Sequence, residues 1–529
     1  MNRITPTDQI VALIEEGSRR HEDRPFLLYK GQWISWAKLD WRSGQVARGL
    51  AELHVKKGDK IAILLDNSPE YLYFWFGINK LGAIEVSVNT AFKGDILKYI
   101  LEQSDATAIV VGSKYLDVLA PELPGLPALH RIVIADGDAV PLAEGIQVVP
   151  YSYFASLDGD FHAQVDPTDI ASLGYTSGTT GPSKGAMMVH NRIIKVGQDM
   201  VTVRGITSDD VLYTCLPLFH GNAKFQTVIP AMLAGARVAL DTRFSANRFW
   251  DEIRTARATQ FNYLGVMISL LFKQAPDPKD ADNPARIGWG AGAAKEMIAD
   301  FEKRFGVYLM EGYGLTEGGI HLSNTLTERR IGSCGKPLPG YEVEVVDEWD
   351  NPVPSGTVGE LVIRARRPYT TMIGYYKMPD KTVEIYRNFW LHTGDLAYQD
   401  NDGFFYFVDR KKDAIRRRGE NISSFEVEAC VNSHPAILEA AAFPIHSDVT
   451  EDDVMIVAVL RPGSDLSYEA FMDYCSNRMP YFWVPRYVEL WTGPLPRTPT
   501  NKVEKYKLRE RGVTEITWDR EKAGYKVQR

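Results

Sequence analysis

The sequence lacks the features that define several common classes of protein. Its 529 residues include four cysteines, which are scattered without the C-x-x-C spacing of a zinc site or a disulfide framework. No apolar run reaches the roughly 18 residues of a membrane-spanning helix, and the N-terminus has no apolar segment of signal-peptide length. Lys and Arg total 60 against 68 Asp and Glu, so the basic excess typical of nucleic-acid-binding proteins is missing. We therefore expect a cytoplasmic protein with no nucleic-acid partner and no transmembrane segment.

The patterns that are present predict an α/β multidomain protein. Strand-like runs at residues 60–65, 108–111 and 131–134 alternate with helix-like runs such as residues 36–53, which indicates two α/β subdomains. The apolar stretch at residues 71–88 is interrupted by Lys80 and Glu85, and we interpret it as a buried helix that leads into a strand. From about residue 341, alternating strands with frequent Pro and Gly indicate a β-rich subdomain.

A charged passage at residues 409–420 predicts the domain boundary. We expect a large N-terminal domain over residues 1–411 and a small α+β C-terminal domain over residues 412–529. The C-terminal part has strand-like runs at residues 437–443 and 454–460 and a helix-like run at residues 467–478.

The most informative segment is a loop of glycines, hydroxyls and one lysine at residues 175–185. Gly178 and Gly181 allow sharp turns that direct backbone N–H groups at an anion, and Lys184 adds positive charge. The hydroxyl donors are those of Thr176, Ser177, Thr179 and Thr180. This composition predicts a phosphate-binding loop.

The loop does not match a Walker A motif. That motif requires Gly before the lysine and Ser or Thr after it, whereas Lys184 lies between Ser183 and Gly185. A P-loop kinase or ATPase is therefore disfavoured, and magnesium should be bound elsewhere in the chain.

Five further segments carry side chains suited to nucleotide and carboxylate chemistry. Glu317 offers the hard oxygen ligand that magnesium prefers, and Thr316 beside it can donate to a phosphate. A flat ring could approach the side-chain-poor segment at residues 290–292. The remaining candidates are a histidine after an apolar run, an aromatic residue, a carboxylate in a tight turn and a lysine in a polar loop: His220, Tyr313, Asp395 and Lys502.

In content and order these motifs resemble those of the adenylate-forming superfamily of acyl-CoA synthetases, adenylation domains and luciferases. The resemblance covers essentially the whole chain, and residues 75–83 and 403–410 are most similar to CoA ligases of fatty acids, carnitine and steroid or terpenoid acids. It implies a two-step reaction. A carboxylic acid and Mg-ATP give acyl-AMP and pyrophosphate, and the thiol of coenzyme A then displaces AMP.

The resemblance also implies roles for individual residues. The phosphate loop would hold the β- and γ-phosphates, Thr316 the α-phosphate and Glu317 the Mg²⁺ ion, while His220 would lie near the carboxylate and Lys502 would bridge the carboxylate and the α-phosphate. The ATP- and AMP-binding residues would be Thr176, Ser177, Gly178, Thr179, Thr180, Lys184, Gly290, Ala291, Gly292, Tyr313, Asp395 and Arg410. The C-terminal domain would be mobile, with a hinge at Lys412, and Gly419 would line the coenzyme A channel.

The identity of the acid is the least determined feature. The candidate acyl pocket is lined by Phe219, Asn222, Phe225, Tyr263, Gly265, Gly318 and His321, a mixture of aromatic and small residues that favours a bulky or apolar acid over acetate. Asn501 occupies the position before the terminal lysine where the family usually has glycine, which puts the rate of adenylation in question. An enzyme that loads a carrier protein without free coenzyme A stays an alternative, and the oligomeric state, monomer or homodimer, stays open.

Overall fold

A computed structural model describes residues 4–176, 183–411, 415–417, 420–422, 424–447, 452–481, 483–497 and 503–527. They form two compact units. The larger unit contains the described parts of Met1–Gly178, Pro182–Val343 and Ile363–Leu391, and the smaller contains those of Glu344–Val362 and His392–Arg529. The α/β fold class is as predicted. The boundary between residues 411 and 412 stays a prediction, because Lys412 lies outside the described residues.

The α-helices follow one another through both units. In chain order they are α1 Ile10–His21, α2 Trp36–Glu52, α3 Pro69–Lys80, α4 Asp95–Gln103, α5 Leu116–Leu119, α6 Tyr151–Ala155, α7 His190–Arg204, α8 Gly221–Ala223, α9 Ile229–Ala234, α10 Phe249–Ala256, α11 Gly265–Phe272, α12 Lys295–Phe305, α13 Pro379–Ile385, α14 Ser424–Asn432, α15 Tyr468–Ser476 and α16 Lys505–Arg511. A π-helical turn, Lys224–Val228, connects α8 to α9. Among the described helices, none combines the length and apolar character required to cross a bilayer.

The strands are short and distributed over several sheets. In chain order they are β1 Pro25–Tyr29, β2 Gln32–Ser35, β3 Lys60–Leu64, β4 Ile84–Ser87, β5 Ala106–Val111, β6 Arg131–Ile134, β7 Gln147–Pro150, β8 Ile170–Tyr175, β9 Gly185–Val189, β10 Val211–Thr214, β11 Arg237–Leu240, β12 Gln260–Leu264, β13 Ile287–Ala291, β14 Tyr308–Leu315, β15 Gly319–Ser323, β16 Lys336–Pro337, β17 Tyr341–Val346, β18 Gly359–Ala365, β19 Leu391–Gln399, β20 Phe405–Arg410, β21 Ile415–Arg417, β22 Glu420–Ile422, β23 Ile437–His446, β24 Asp452–Leu460, β25 Tyr487–Trp491 and β26 Trp518–Asp519.

Two mostly parallel sheets form the framework of the larger unit, as the alternating pattern predicts. One has the strand order β7-β6-β5-β3-β4-β8-β9, and the other β16-β15-β14-β13-β12-β10-β11-β1-β2. In the first sheet β9 is antiparallel to β8, whereas β3 to β8 are parallel to their neighbours. In the second sheet β1 and β10 to β14 are parallel, and β2, β15 and β16 are antiparallel edges.

The segment at residues 71–88 is a buried helix followed by a strand, as predicted. Helix α3 begins where the Ser68 hydroxyl accepts the Tyr71 N–H at 3.3 Å, and Pro69 occupies the first turn, where its missing N–H costs nothing. Every residue of α3 except Glu70 is buried. The helix therefore lies within the protein core, and its apolar surface continues into β4.

In the smaller unit, the C-terminal sheet has the order β23-β24-β25-β26. Helices α14 and α15 contribute apolar side chains to the same core as this sheet, including Val427, Phe471 and Met472. The Ser467 hydroxyl accepts the Ala470 N–H at 3.2 Å and begins α15, close to the predicted start at residue 467. The predicted small α+β arrangement is confirmed for this part of the chain.

Candidate active site

Four neighbouring parallel strands carry the predicted site segments at their carboxyl ends. The sheet order β10, β12, β13 and β14 places the ends of these strands side by side. Tyr263 is paired with Gly290, and Gly290 in turn with Glu311. Ligands in open α/β sheets bind outside the carboxyl ends of the strands. The fold thus brings the segments after Thr214, Leu264, Ala291 and Leu315 to the same edge.

The glycine segment after β13 has a backbone that larger residues would obstruct. A Cβ atom on Gly290 would lie 2.3 Å from the carbonyl oxygen of Tyr263, and one on Gly265 would lie 1.7 Å from that of Gly292. Gly292 has a φ of 79°, in the region that favours glycine. Its Cβ position faces open space, so the turn leaves room for a flat ring.

Glu311 supports this turn and was not among the predicted residues. Its Oε1 accepts the backbone N–H of Ala293 at 2.9 Å. Burial raises the pKa of the Glu311 carboxyl to about 7, although hydrogen bonds from the N–H groups of Ala293 and Gly292 act in the opposite direction. In the sequence, Glu311 directly precedes the glycine-rich segment at residues 312–317, but nothing in the pattern indicates that it faces the preceding strand.

The phosphate loop lies at the end of a β-hairpin. Tyr175 at the end of β8 is paired with Gly185 at the start of β9, and the Thr176 N–H donates to the Lys184 carbonyl at 3.1 Å. A P-loop leads from a strand into a helix, whereas this loop leads into an antiparallel strand. The architecture agrees with the broken Walker motif. The predicted residues Ser177, Gly178, Thr179 and Thr180 lie outside the described residues.

Tyr375 connects the phosphate loop to the predicted magnesium ligand. Its hydroxyl donates to Oε1 of Glu317 at 2.6 Å, and the Lys184 ammonium lies 4.8 Å from the centre of its ring. Burial, followed by the Glu317 carboxylate, raises the pKa of the Tyr375 phenol. The Gly374 carbonyl accepts the Met187 N–H at 2.9 Å, so the segment that carries Tyr375 is hydrogen-bonded to β9. Sequence reasoning missed Tyr375, because this contact joins segments almost 200 residues apart.

Thr316 and Glu317 follow β14 in a turn that is held from two sides. The buried guanidinium of Arg192, on α7, donates to the Thr316 carbonyl. The Glu317 carbonyl accepts the Met372 N–H at 2.7 Å. Among the described residues, no group of three or more His, Cys, Asp or Glu side chains is arranged as a metal site. Mg²⁺ bound with nucleotide phosphates usually needs only one or two protein carboxylates, and Glu317 fits that requirement.

The predicted histidine lies directly before α8. The backbone N–H of His220 donates to the Pro217 carbonyl at 3.0 Å. The centre of the Phe219 ring is 4.9 Å from the centre of the His220 imidazole. Asn222 is partly exposed, whereas Phe225 is buried, with its ring 6.1 Å from that of Trp75. These four side chains therefore belong to one short region that includes α8 and the beginning of the π-helical turn.

Two other candidate pocket residues are fully buried. Tyr263 donates through its hydroxyl to the Met310 carbonyl at 3.3 Å. The His321 ring packs edge-to-face on Tyr341, with 4.7 Å between the ring centres. A Cβ atom on Gly318 would lie 2.2 Å from the His321 ring. Burial, with Arg192 as the next cause, lowers the pKa of His321 to about 3. Both residues lie in the packed interior, and a role in the acyl pocket stays a prediction for each.

Tyr313 is also buried and is paired with Leu322 across β14 and β15. Its predicted contact with adenine stays a prediction.

In the smaller unit, the two predicted ribose-binding residues are adjacent. Asp395 on β19 and Arg410 on β20 are cross-strand partners, with Nε of the arginine 2.8 Å from Oδ1 of the carboxylate. Asp395 is 3% exposed, and the Thr393 hydroxyl accepts its N–H at 3.1 Å. The Asp395 carboxylate is thus buried and paired with Arg410. The predicted residues Lys412, Gly419, Asn501 and Lys502 lie outside the described residues.

Comparisons with known proteins agree with this arrangement. The sequence profile of the AMP-binding enzyme family matches residues 14–376, and that of the AMP-binding enzyme C-terminal domain matches residues 426–502. A crotonobetaine/carnitine–CoA ligase of Salmonella heidelberg is 32% identical over 488 residues, which cover 90% of this chain and 93% of that protein.

Solved structures are similar over nearly the whole chain. The crystal structure of an anthranilate CoA ligase in complex with anthranoyl-AMP has a TM-score of 0.86 and 26% identity, and the match covers 96% of this chain and 99% of that one. An o-succinylbenzoate CoA synthetase of Bacillus subtilis in complex with its acyl-adenylate intermediate has a TM-score of 0.82 and 25% identity, with coverage of 94% and 97%. The predicted combination of a large N-terminal and a small C-terminal domain matches these structures.

Proposed function

Because the chain belongs to the AMP-binding enzyme family and is an ATP-dependent, AMP-forming acyl-CoA ligase, we propose how its residues divide the two half-reactions. The loading of a carrier protein is not favoured, since the relatives described above are CoA ligases and synthetases. A P-loop kinase is excluded by the family.

The first half-reaction joins two anions, and its barrier depends on the positive charge between them. Lys184 and the phosphate-loop residues Thr176, Ser177, Gly178, Thr179 and Thr180 hold the β- and γ-phosphates, which leave as pyrophosphate. Thr316 contacts the α-phosphate. Lys502 lies between the carboxylate and the α-phosphate, where it neutralises the charge that develops during attack.

Glu317 holds Mg²⁺, which supplies further positive charge at the phosphates when it is bound. The hydrogen bond from Tyr375 to one oxygen of Glu317 supports this role, because it leaves the second oxygen for the metal. One carboxylate acting together with phosphate oxygens is a usual form of Mg²⁺ binding.

Two sets of residues are assigned to the nucleoside part of ATP. Gly290, Ala291, Gly292 and Tyr313 surround the adenine, and Asp395 and Arg410 bind the ribose hydroxyls. The open space at Gly292 and the buried Asp395 carboxylate beside Arg410 support these roles.

In the second half-reaction, the C-terminal domain turns about Lys412 and withdraws Lys502. Coenzyme A then enters past Gly419, and its thiol displaces AMP. We place the enzyme in the cytoplasm, which is consistent with four cysteines that form no disulfide in the described structure, Cys215, Cys334, Cys430 and Cys475.

The acid is bulky or apolar and is bound near His220. The observation that carries this proposal is the short region after β10 with Phe219, Asn222 and Phe225, which combines two aromatic side chains with a partly exposed amide. Gly265, Tyr263, Gly318 and His321 complete the proposed surroundings.

A substrate screen tests this function. The purified enzyme is incubated with ATP, Mg²⁺ and fatty, aromatic, carnitine-like or polycyclic acids, with and without coenzyme A, and pyrophosphate, AMP and acyl-CoA are measured. We expect AMP with every productive acid and acyl-CoA only when coenzyme A is present. A strong preference for acetate would contradict the bulky acid, and release of ADP would contradict the reaction itself.

A further inference from the structure

A chain of buried polar side chains leads from α7 to Asn222. Arg204, at the end of α7, donates through Nη1 to Oδ1 of Asn262 on β12 at 2.8 Å. Asn262 in turn donates through Nδ2 to Oδ1 of Asn222 at 2.7 Å. Arg204 and Asn262 are both completely buried, so water does not compete for the hydrogen bond between them.

The chemistry of arginine determines the orientation of both amides. A guanidinium has only donors, so the atom of Asn262 that faces Arg204 must be the oxygen. The side-chain nitrogen of Asn262 then faces Asn222. Asn222 must therefore direct its own side-chain oxygen at that nitrogen to accept the hydrogen bond. This sequence of contacts assigns the orientation of both amides.

Asn222 therefore has a pair of N–H donors that the relay does not use. Within the described residues, its Nδ2 atom has no hydrogen-bond acceptor, and the side chain is partly exposed. Thus Asn222 can offer hydrogen bonds to a ligand but cannot readily accept one.

Arg204 also forms a hydrogen bond to the backbone near Asn222. Nη1 of Arg204 also donates to the Gln226 carbonyl, at 3.0 Å, within the π-helical turn. Arg204 is itself held by Gln260, whose Oε1 accepts a hydrogen bond from Nε of Arg204 at 3.0 Å. Such turns are frequent at functional sites, and Asn222 lies two residues before this turn and two residues after His220.

We propose that Asn222 is a specificity residue that recognises an oxygen acceptor, a keto or hydroxyl oxygen, on the acyl group of the substrate. The inference rests on the proposed function, because it takes the region around His220 as the acyl site. It narrows the substrate class from a bulky acid to a bulky acid with an oxygen substituent. A site that offers a hydrogen bond to such an oxygen discriminates against the analogue without it.

The test uses the intact enzyme and matched pairs of straight-chain, aryl and polycyclic acids that differ only in a keto or hydroxyl oxygen. In at least one pair, we expect kcat/KM for acyl-CoA formation to favour the oxygenated acid by about tenfold, the effect of one neutral hydrogen bond. In Asn222→Asp the acceptor for Asn262 is retained but the donors are lost, and we expect the preference to disappear without a change in the KM for ATP.

A second variant tests the relay without altering Asn222. Asn262→Asp keeps an acceptor for Arg204 but cannot donate to Asn222, whose amide is then free to reverse. We expect a smaller loss of preference than in Asn222→Asp. Gln274→Glu makes the same amide-to-carboxylate change at an exposed position and should behave as wild type.

Three results would overturn the inference in distinguishable ways. Equal kcat/KM within every pair, with acyl-CoA still formed, removes the specificity role but leaves the proposed function intact. A higher KM for ATP with every acid in Asn222→Asp would show that Asn222 faces the nucleotide. The absence of acyl-AMP and acyl-CoA with every acid tested would overturn the proposed function and this inference with it.

Discussion

Tyr375 controls how much freedom the Glu317 carboxylate has. The phenol donates to one carboxylate oxygen, and the face of its ring lies against the Lys184 ammonium. Lys184 and Glu317 carry opposite charges and have different proposed tasks at the phosphates. A neutral aromatic residue thus contacts both charged side chains and engages only one oxygen of Glu317, so each side chain stays available to the nucleotide.

Tyr375→Phe should lower the apparent affinity for Mg²⁺ in adenylation. The variant loses a hydrogen bond to a charged group, worth about 1.5–3 kcal/mol, while the ring beside Lys184 is kept. We expect the Mg²⁺ concentration for half-maximal ATP–pyrophosphate exchange to rise by about tenfold or more. Tyr376→Phe is the matched control, because the Tyr376 hydroxyl donates to Asp105, away from Glu317. An unchanged magnesium requirement in Tyr375→Phe would contradict this role.

Glu311 makes stability depend on pH. Burial raises the pKa of its carboxyl from the ordinary 4.5 to about 7. Between these pH values the folded chain binds more protons than the unfolded chain, so the free energy of unfolding falls as pH rises. The stabilising contribution is complete below pH 4.5 and is lost as pH rises through 7, a change of about 3 kcal/mol.

The neutral variant Glu311→Gln should remove this dependence. Between pH 5 and pH 8, urea unfolding should show that wild type loses about 2.5 kcal/mol more stability than the variant. The same substitution at the exposed Glu296 should leave the pH dependence as it is. Parallel pH profiles for wild type and Glu311→Gln would show that Glu311 is not the group responsible.

At the scale of elements, the π-helical turn depends on a buried ion pair. The Lys224 ammonium contacts the Glu85 carboxylate on β4, and the two side chains are 1% and 0% exposed. Glu85 also accepts hydrogen bonds from the hydroxyls of Tyr71, at 3.0 Å, and Ser87, at 2.7 Å. The Ser172 hydroxyl bonds to its other oxygen. Through Glu85, the π-helical turn is therefore connected by polar contacts to both β4 and β8.

Breaking this pair on one side should be costly. Lys224→Met leaves the Glu85 carboxylate buried without its cation, and we expect a loss of about 3–5 kcal/mol in the free energy of unfolding of the larger unit, measured in urea. Glu85→Gln alone should also destabilise, because it leaves a buried ammonium. The double variant should recover most of the loss, since glutamine can accept from Tyr71 and Ser87 and donate to Ser172. Additive losses in the double variant would contradict the coupling.

The elements themselves were largely predictable, whereas the contacts between them were not. The buried run at residues 71–88 and the Ser467 cap have local signals of apolar content and N-capping, which the sequence displays directly. Glu85 and Lys80 looked alike, as charges that interrupt an apolar run. Only the fold shows that Glu85 is paired with a lysine 139 residues away, and no local pattern indicates that partner.

The same distinction holds for the site. The glycine-rich and hydroxyl-rich segments indicate nucleotide binding from the sequence alone. Their flexible backbone and their hydrogen-bond donors are properties of a few consecutive residues. Glu311, Tyr375 and Arg192 contact those segments from a strand, a loop and a helix, respectively. Their function depends on strand order and register, which a single sequence does not reveal.

At the scale of the whole molecule, the ligase must perform two reactions with different requirements. Adenylation needs positive charge between two anions, whereas thioester formation needs that region opened to a thiol. Asp395 and Arg410 form the proposed ribose-binding pair, and Arg410 lies only two residues before the proposed hinge at Lys412. A turn about Lys412 could then move Lys502 without disturbing the cross-strand pair that holds the nucleotide.

Lys502→Ala should therefore separate the half-reactions. Loss of one electrostatic stabiliser typically lowers a rate by about a hundred- to a thousandfold, and we expect this loss in acyl-AMP formation, measured by ATP–pyrophosphate exchange. Formation of acyl-CoA from pre-made acyl-AMP and coenzyme A should stay close to wild type. Lys507→Ala removes a half-exposed lysine of the same segment, paired with Glu504, and should leave both rates unchanged. Equal losses in both half-reactions of Lys502→Ala would contradict domain movement, because a lysine that stays at the reaction centre contributes to each step.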